Sequence, residues 1–246
     1  MLGLPQTITV CLFDLDGVLT DTASVHSAAW KQTFDELLEG RDGKGYAPFT
    51  PHDYETYVDG KPRADGVRDF LTSRSITLPE GDPGDGPDAQ TVNGVGNRKN
   101  ELLLQKIDRD GVRVYEGSRR YLQAAKDAGL RRFVVSSSAN TTAVLGVTGL
   151  ARFVEGQVDG TTLRQQHLEG KPAPDSFLAG AALAGADPGQ AVVFEDAVAG
   201  VQAGHAGGFG YVVGVNRISA EHATDLMRHG ASVVVDDLAQ LLENES

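Results

Sequence analysis

Short apolar runs along this chain stop abruptly at polar residues, and that pattern predicts five strands. They are Thr7–Asp14, Arg132–Ser137, Ala191–Glu195, Gly210–Val215 and Ala231–Val235. Each is rich in β-branched residues and bounded by Gly, Pro or Asp. Helical patterns fall between them. Tyr121–Ala128 ends at Gly129; Pro174–Ala184 begins at a proline and ends at Gly185; Ala197–Ala206 follows Glu195 and Asp196. Strands alternating with helices at short intervals predict an α/β fold with a doubly wound parallel sheet, a Rossmann-like core.

From about Thr22 to Asp108 the rhythm breaks. Three helical stretches are expected there, at Val25–Leu38, Asp65–Ser73 and Lys99–Ile107, and no parallel strand. We expect an inserted helical domain at 22–108, with 1–21 and 109–246 forming the core. Glu39–Asp53 and Pro79–Asn97 are expected to be loops, the second long for a compact domain.

Composition narrows the partners. The apolar fraction of 40% is enough for a buried core, and the formal charge is −12. No block of Lys or Arg is long enough to follow a nucleic-acid backbone, so no nucleic-acid partner is expected. A protein this acidic that handles an anion must gather its few cations locally. The one cysteine, Cys11, lies in the first apolar run and reads as a small core residue. No signal peptide or membrane-length apolar stretch is visible, so the cytoplasm, and no membrane, is the expected setting.

Candidate chemistry sits at the ends of the predicted strands. Val10–Phe13 runs into Asp14-Leu15-Asp16-Gly17. On a strand, Asp14 and Asp16 share a face, and their mutual repulsion calls for a bound Mg²⁺ or a shared proton. An Asx-rich turn or a calcium loop can have the same letters. Ser136, Ser137, Ser138 and Asn140 follow the second strand; they suit phosphate oxygens, or Ser138 or Asn140 is merely a helix cap. Lys171 stands in Gly170-Lys171-Pro172-Ala173-Pro174, where prolines fix its direction. Glu195 and Asp196 end another apolar run and can complete a Mg²⁺ site, cap the next helix, or do both with different atoms. In the insert, Gly60, Lys61 and Arg63 form a basic turn, and Lys99 and Asn100 add further capacity for anions; surface loops explain either cluster equally simply.

In this order, FDLDGVLTD, the VVSSS strand end, GKPAPD and VVFEDAVAG resemble the motifs of the haloacid dehalogenase-like phosphotransferase superfamily over nearly the whole chain. Within it, the β-phosphoglucomutase branch is the one the insert resembles. DTASVHSAAW is similar to that branch's cap helix, with His26 and Trp30 one turn apart, and GKPR and NRKN are similar to its cap motifs. The resemblance implies Asp14 as a nucleophile forming an aspartyl-phosphate and Asp16 as general acid/base. It implies Mg²⁺ held by the carboxylates of Asp14, Glu195 and Asp196 and the backbone carbonyl of Asp16. Ser136 and Lys171 would hold the transferring phosphoryl group; Arg63, Ser138 and Asn140 would hold the remote phosphate. His26, Trp30, Gly60, Lys61, Lys99, Asn100 and Ser137 complete the substrate-binding set it implies.

The implied reaction converts β-D-glucose 1-phosphate to D-glucose 6-phosphate through a bound glucose 1,6-bisphosphate, under a cap that excludes water. The partners are then a sugar phosphate and a sugar bisphosphate, and the expected state is a monomer. One departure stands out: Ala139 occupies a position where better-matched members carry lysine, and Lys61 is the candidate replacement. A sugar-phosphate phosphatase would use the same core residues with an attacking water. A phospho-receiver module would use a strand-end aspartate, a lysine and a hydroxyl, but would have no role for the helical insert.

Overall fold

The computed structural model describes residues 2–243, which contain one six-stranded sheet. Its strands are β1 (Val10–Phe13), β2 (Arg131–Val135), β3 (Gly156–Val158), β4 (Ala191–Glu195), β5 (Tyr211–Val215) and β6 (Val233–Val235). All neighbours are parallel, in the order β3-β2-β1-β4-β5-β6. The burial pattern explains the central strands: every residue of β1 and β4 is buried, as a strand covered on both faces requires.

The helices in chain order are α1 (Ala23–Asp42), a single turn α2 (Pro51–Asp53), α3 (Arg63–Ser73), α4 (Val92–Asp110), α5 (Glu116–Asp127) and α6 (Thr141–Val147). There follow α7 (Gly160–Gln166), α8 (Asp175–Ala184), α9 (Val198–Ala206), α10 (Ala220–Arg228) and α11 (Gln240–Glu243). The chain divides into two compact units, Met1–Asp21 with Val112–Ser246, and Thr22–Gly111.

The first unit holds the sheet. Phe177 and Ala181 of α8 and Val201 and Ala203 of α9 pack with Leu12, Val135 and Val193 of the strands in one buried cluster. The second unit is helical, with no strand among its described residues. Its core is aromatic: Phe34 stacks on Trp30 at 5.0 Å and meets Phe49 at 5.1 Å and Phe70 at 4.1 Å between ring centroids with tilted rings.

Several boundaries differ from expectation. α1 runs on to Asp42, beyond the predicted end at Leu38, and α2 forms a turn inside the expected loop Glu39–Asp53. Thr50 and Asp53 explain that turn: the Thr50 hydroxyl accepts from the Asp53 N–H, while Asp53 accepts from the Thr50 N–H, a reciprocal cap. α4 begins at Val92, with Thr91 capping the Gly94 N–H, so the loop before it is shorter than Pro79–Asn97. β3, α7, α10 and α11 were not expected, whereas α6 follows the Ser138–Asn140 stretch that was read as a helix start. β1 ends at Phe13, one residue before Asp14. Among the described residues no helix is long and apolar enough to cross a membrane.

Candidate active site

The strand order positions the site. From β1 the chain winds outward through β2 to β3, then returns to the other side of β1 for β4. The loops after β1 and β4 therefore leave the sheet in opposite directions, and a crevice opens at their carboxyl ends. Asp14 and Glu195 flank that point. The Asp14 N–H donates to the Phe194 carbonyl at 2.9 Å, which continues the β1–β4 ladder one step and sets Asp14 beside the end of β4. On the other flank of β1, the Ser136 N–H donates to Val158 at 3.0 Å.

Lys171 joins these elements. Its ammonium donates to Asp14 Oδ1 at 2.6 Å, to Glu195 Oε1 at 2.5 Å and to the Val135 carbonyl at 3.3 Å, and it lies 4.8 Å from the Phe177 ring centroid. The segment before α8 delivers it there through a cis Lys171–Pro172 peptide. Its side chain is 1% exposed, so the charge is stable only because acceptors surround it. Burial works against the ammonium, but Asp14 and Glu195 outweigh it and raise its pKa.

Asp14 is pushed the other way. Burial raises its pKa well above the usual carboxylate range; Glu195 and Asp16 add to that, and Lys171 opposes it. Asp14 and Asp16 do not share a strand face as the sequence suggests, because β1 stops before both residues; Asp16 instead lies in a tight loop, bridged to Thr20.

Carboxylate oxygens of Asp14, Glu195 and Asp196 lie within 4.8 Å of one another. An all-oxygen set of this size fits Mg²⁺, which keeps few protein carboxylates and prefers substrate oxygens and water for the rest.

Two glycines make the cluster possible. Gly17 has φ +82°, and a Cβ there would stand 1.7 Å from Asp196 Oδ2. A Cβ on Gly200, in the first turn of α9, would stand 1.9 Å from Glu195 Oε1. Glu195 Oε2 also accepts from the Ala197 N–H at 2.9 Å. One carboxylate therefore serves both the entry to α9 and the charged cluster, with different oxygens. Gly200 closes the VVFEDAVAG motif but was not singled out as a site residue.

The serines are partly engaged with the backbone. Ser136, 1% exposed, accepts from the Ser138 N–H at 3.1 Å, and Ser138 Oγ accepts from the Asn140 N–H at 3.2 Å. Asn140 precedes α6 without a side-chain cap bond. Ser137 is half-buried.

The helical unit gathers its own set. The Lys99 ammonium on α4 donates to His26 Nδ1 on α1 at 3.0 Å and lies 4.9 Å from the Trp30 ring centroid. Asn100 follows on the same helix. Gly60, at φ +70°, makes the turn before α3. Arg63 opens α3 and donates from Nη1 to the Gly96 carbonyl at 3.2 Å; a Cβ on Gly96 would press on the arginine stem at 3.1 Å. Lys61 is engaged elsewhere, 2.6 Å from Asp69 Oδ2 on α3.

Comparison with known proteins agrees with this geometry. The family model for haloacid dehalogenase-like hydrolases matches residues 8–208. Two mycobacterial proteins named β-phosphoglucomutase, from Mycobacterium bovis and Mycobacterium tuberculosis, are 58% identical over 98% of this chain and 94% of their own. A Bacillus subtilis protein of the same name is 29% identical over 88% of this chain and 87% of its own. The crystal structure of a Clostridium difficile β-phosphoglucomutase superposes with a TM-score of 0.74 at 24% identity, covering 95% of this chain and 93% of that one, and so shares the fold.

Proposed function

The chain belongs to the haloacid dehalogenase-like hydrolase family, and on that premise we propose that it is a β-phosphoglucomutase. It interconverts β-D-glucose 1-phosphate and D-glucose 6-phosphate. The near full-length likeness to the mycobacterial proteins carries this reading, and the buried cluster around Lys171 supplies the chemistry.

In the first half-reaction a carboxylate oxygen of Asp14 attacks phosphorus. The bond from phosphorus to the departing oxygen breaks, an aspartyl-phosphate forms, and Asp16 delivers a proton to the leaving oxygen. In the second, Asp16 takes the proton from a sugar hydroxyl, whose oxygen attacks phosphorus and releases Asp14. Lys171 and Ser136 stabilise the charge spreading over the phosphoryl oxygens. Asp14, Glu195 and Asp196 are the carboxylates we assign to Mg²⁺, with the Asp16 carbonyl; the ion's chemistry there is to screen phosphoryl charge.

Isomerisation passes through glucose 1,6-bisphosphate, which is used in both orientations and so needs a grip on the phosphate not reacting. We assign that grip to Arg63, Ser138 and Asn140. Lys61 can replace the lysine missing at Ala139 only by giving up its pair with Asp69. His26, Trp30, Lys99, Asn100, Gly60 and Ser137 are assigned to the sugar phosphate around these groups. The cytoplasm is the proposed setting.

One assay tests the reading. Purified protein with Mg²⁺ and β-D-glucose 1-phosphate, primed with the bisphosphate, is followed for glucose 6-phosphate and for inorganic phosphate in parallel. Glucose 6-phosphate well in excess of phosphate supports the mutase. Phosphate alone replaces it with a sugar-phosphate phosphatase, the outcome the weakened cation set at Ala139 would favour.

A further inference from the structure

The loop that carries Asp14 and Asp16 is held in place from outside, and one of its anchors is distant in sequence. Gly17 turns the chain at positive φ with the Asp196 carboxylate against it, so no side chain at position 17 can fix the loop. The carbonyls behind it need donors instead. Ser118 Oγ supplies one, donating to Val18 O at 2.6 Å. Arg217, just past the end of β5, supplies another, donating from Nε to Gly17 O at 2.8 Å.

Arg217 is itself fixed on two sides. Its Nη1 donates to the Asp236 carbonyl at 2.7 Å after β6. Its guanidinium carbon lies 3.7 Å from the centroid of the Tyr115 ring, a stacked cation–π contact. The Tyr115 hydroxyl donates in turn to Asp21 Oδ1 at 3.0 Å, at the far end of the same loop. Thus one half-buried side chain, 15% exposed, ties Gly17 directly and Asp21 through Tyr115. The planar fork is needed for this: it donates to the carbonyls of Gly17, Val18 and Asp236 while a ring covers its face, and an ammonium can do only part of that.

We propose that Arg217 is a positioning residue for phosphoryl transfer, acting through the Gly17 carbonyl and Tyr115 to hold the Asp14–Asp21 loop in its working shape. The proposal rests on the reading that Asp14 and Asp16 perform the chemistry. Arg217 touches neither of them, so its loss should misplace the reacting groups without removing a substrate contact.

The test compares Arg217→Ala, Arg217→Lys and the control Arg228→Ala, whose arginine is 72% exposed at the end of α10. Each full-length variant is assayed with Mg²⁺ for isomerisation of β-D-glucose 1-phosphate and for phosphate release from acetyl phosphate, with a thermal melt for each. The expected loss in kcat for Arg217→Ala is about 10- to 100-fold on both reactions, the range set by one charge-assisted hydrogen bond, with KM changed by no more than about twofold. Arg217→Lys should fall between Ala and wild type. Added guanidinium ion, below denaturing concentrations, should recover part of the kcat of Arg217→Ala and leave Arg228→Ala unchanged. A kcat within about twofold of wild type for Arg217→Ala overturns the proposal, as does a loss that guanidinium does not relieve in a variant melting at the wild-type temperature. Should Arg217→Ala fail to fold, the kcat of a folded Arg217→Lys decides alone, and a wild-type value overturns the proposal. Wild-type protein inactive on both substrates overturns the aspartyl-phosphate reading and this proposal with it.

Discussion

In the proposed reaction Asp14 answers two opposed demands. A nucleophilic carboxylate must be ionised, yet burial and the neighbouring Glu195 and Asp16 favour its protonated form. Lys171 is the counterweight, and a divalent cation among Asp14, Glu195 and Asp196 would complete it. Replacing Asp14 with Asn preserves the shape but removes both the attacking charge and a metal ligand. We expect turnover to fall by about a thousandfold or more on every phosphate substrate, with weaker Mg²⁺ binding. Asp16→Asn should behave differently. It spares transfer from a donor such as acetyl phosphate, whose leaving group needs little protonation, and damages transfer to and from sugar hydroxyls. Steady-state rates on the two donor types check this. Equal losses on both would reassign Asp16 from proton transfer to shaping the metal site.

At the scale of elements, the contact between β4 and α9 decides where Glu195 can stand. Gly200 sits in the helix, where alanine is intrinsically favoured by about 1 kcal/mol. Its Cβ would nevertheless fall 1.9 Å from Glu195 Oε1, so overlap must dominate propensity. Gly200→Ala is therefore expected to lower the melting temperature, by roughly 1–3 kcal/mol of stability, and to reduce activity as Glu195 leaves Lys171. A variant that is stabilised and fully active would show that Glu195 has room to move.

This contact also marks the limit of what the sequence discloses. Asp14, Lys171, Glu195 and Asp196 stand out because each ends an apolar run or, for Lys171, stands directly before a proline-stiffened segment. Gly200 and Arg217 owe their roles to groups brought near only by folding. β3 is Gly-Gln-Val, too short and too polar to show as a run, and it exists because β2 offers it an edge. The end of the expected loop Glu39–Asp53 is ordered by Asp53, which accepts from Thr50 at 2.7 Å and from Arg74 at 2.8 Å, contacts that no local pattern reveals.

Asp53 also gives this segment a pH dependence. Burial disfavours its charge, but the Thr50 hydrogen bonds and the Arg74 guanidinium outweigh burial and hold its pKa below the usual carboxylate value. A carboxylate lowered on folding stabilises the protein above its unfolded pKa of about 4, and that stability disappears as pH falls through the lower folded value. Asp53→Asn should make the melting temperature less dependent on pH over that acid window, relative to wild type. An unchanged acid limb would mean that the pair with Arg74 contributes nothing to folding.

For the whole molecule, the question is how one set of core residues is committed to isomerisation rather than hydrolysis. The proposed nucleophile, lysine and carboxylates of the sheet unit would serve either reaction, so on this reading the distinction comes from binding the phosphate that is not reacting. In a chain of net charge −12, cations for that purpose are scarce. Ala139 removes one expected cation, and Lys61 is paired with Asp69. Arg63, at the first turn of α3 with Nη1 on the Gly96 carbonyl, is the cation assigned to that grip, and its fork can hold phosphate in a way that a neutral side chain cannot. Arg63→Ala should therefore lower isomerisation by about 10- to 100-fold, while phosphate release from the phospho-enzyme persists or rises. Lys61→Ala should show a smaller defect of the same kind, because its charge is already shared. Parallel measurement of glucose 6-phosphate and inorganic phosphate separates the two effects. Should Arg63→Ala isomerise at the wild-type rate, the grip would have to lie elsewhere. Should both products fall together, Arg63 would serve the reacting phosphate or the fold rather than the choice between mutase and phosphatase.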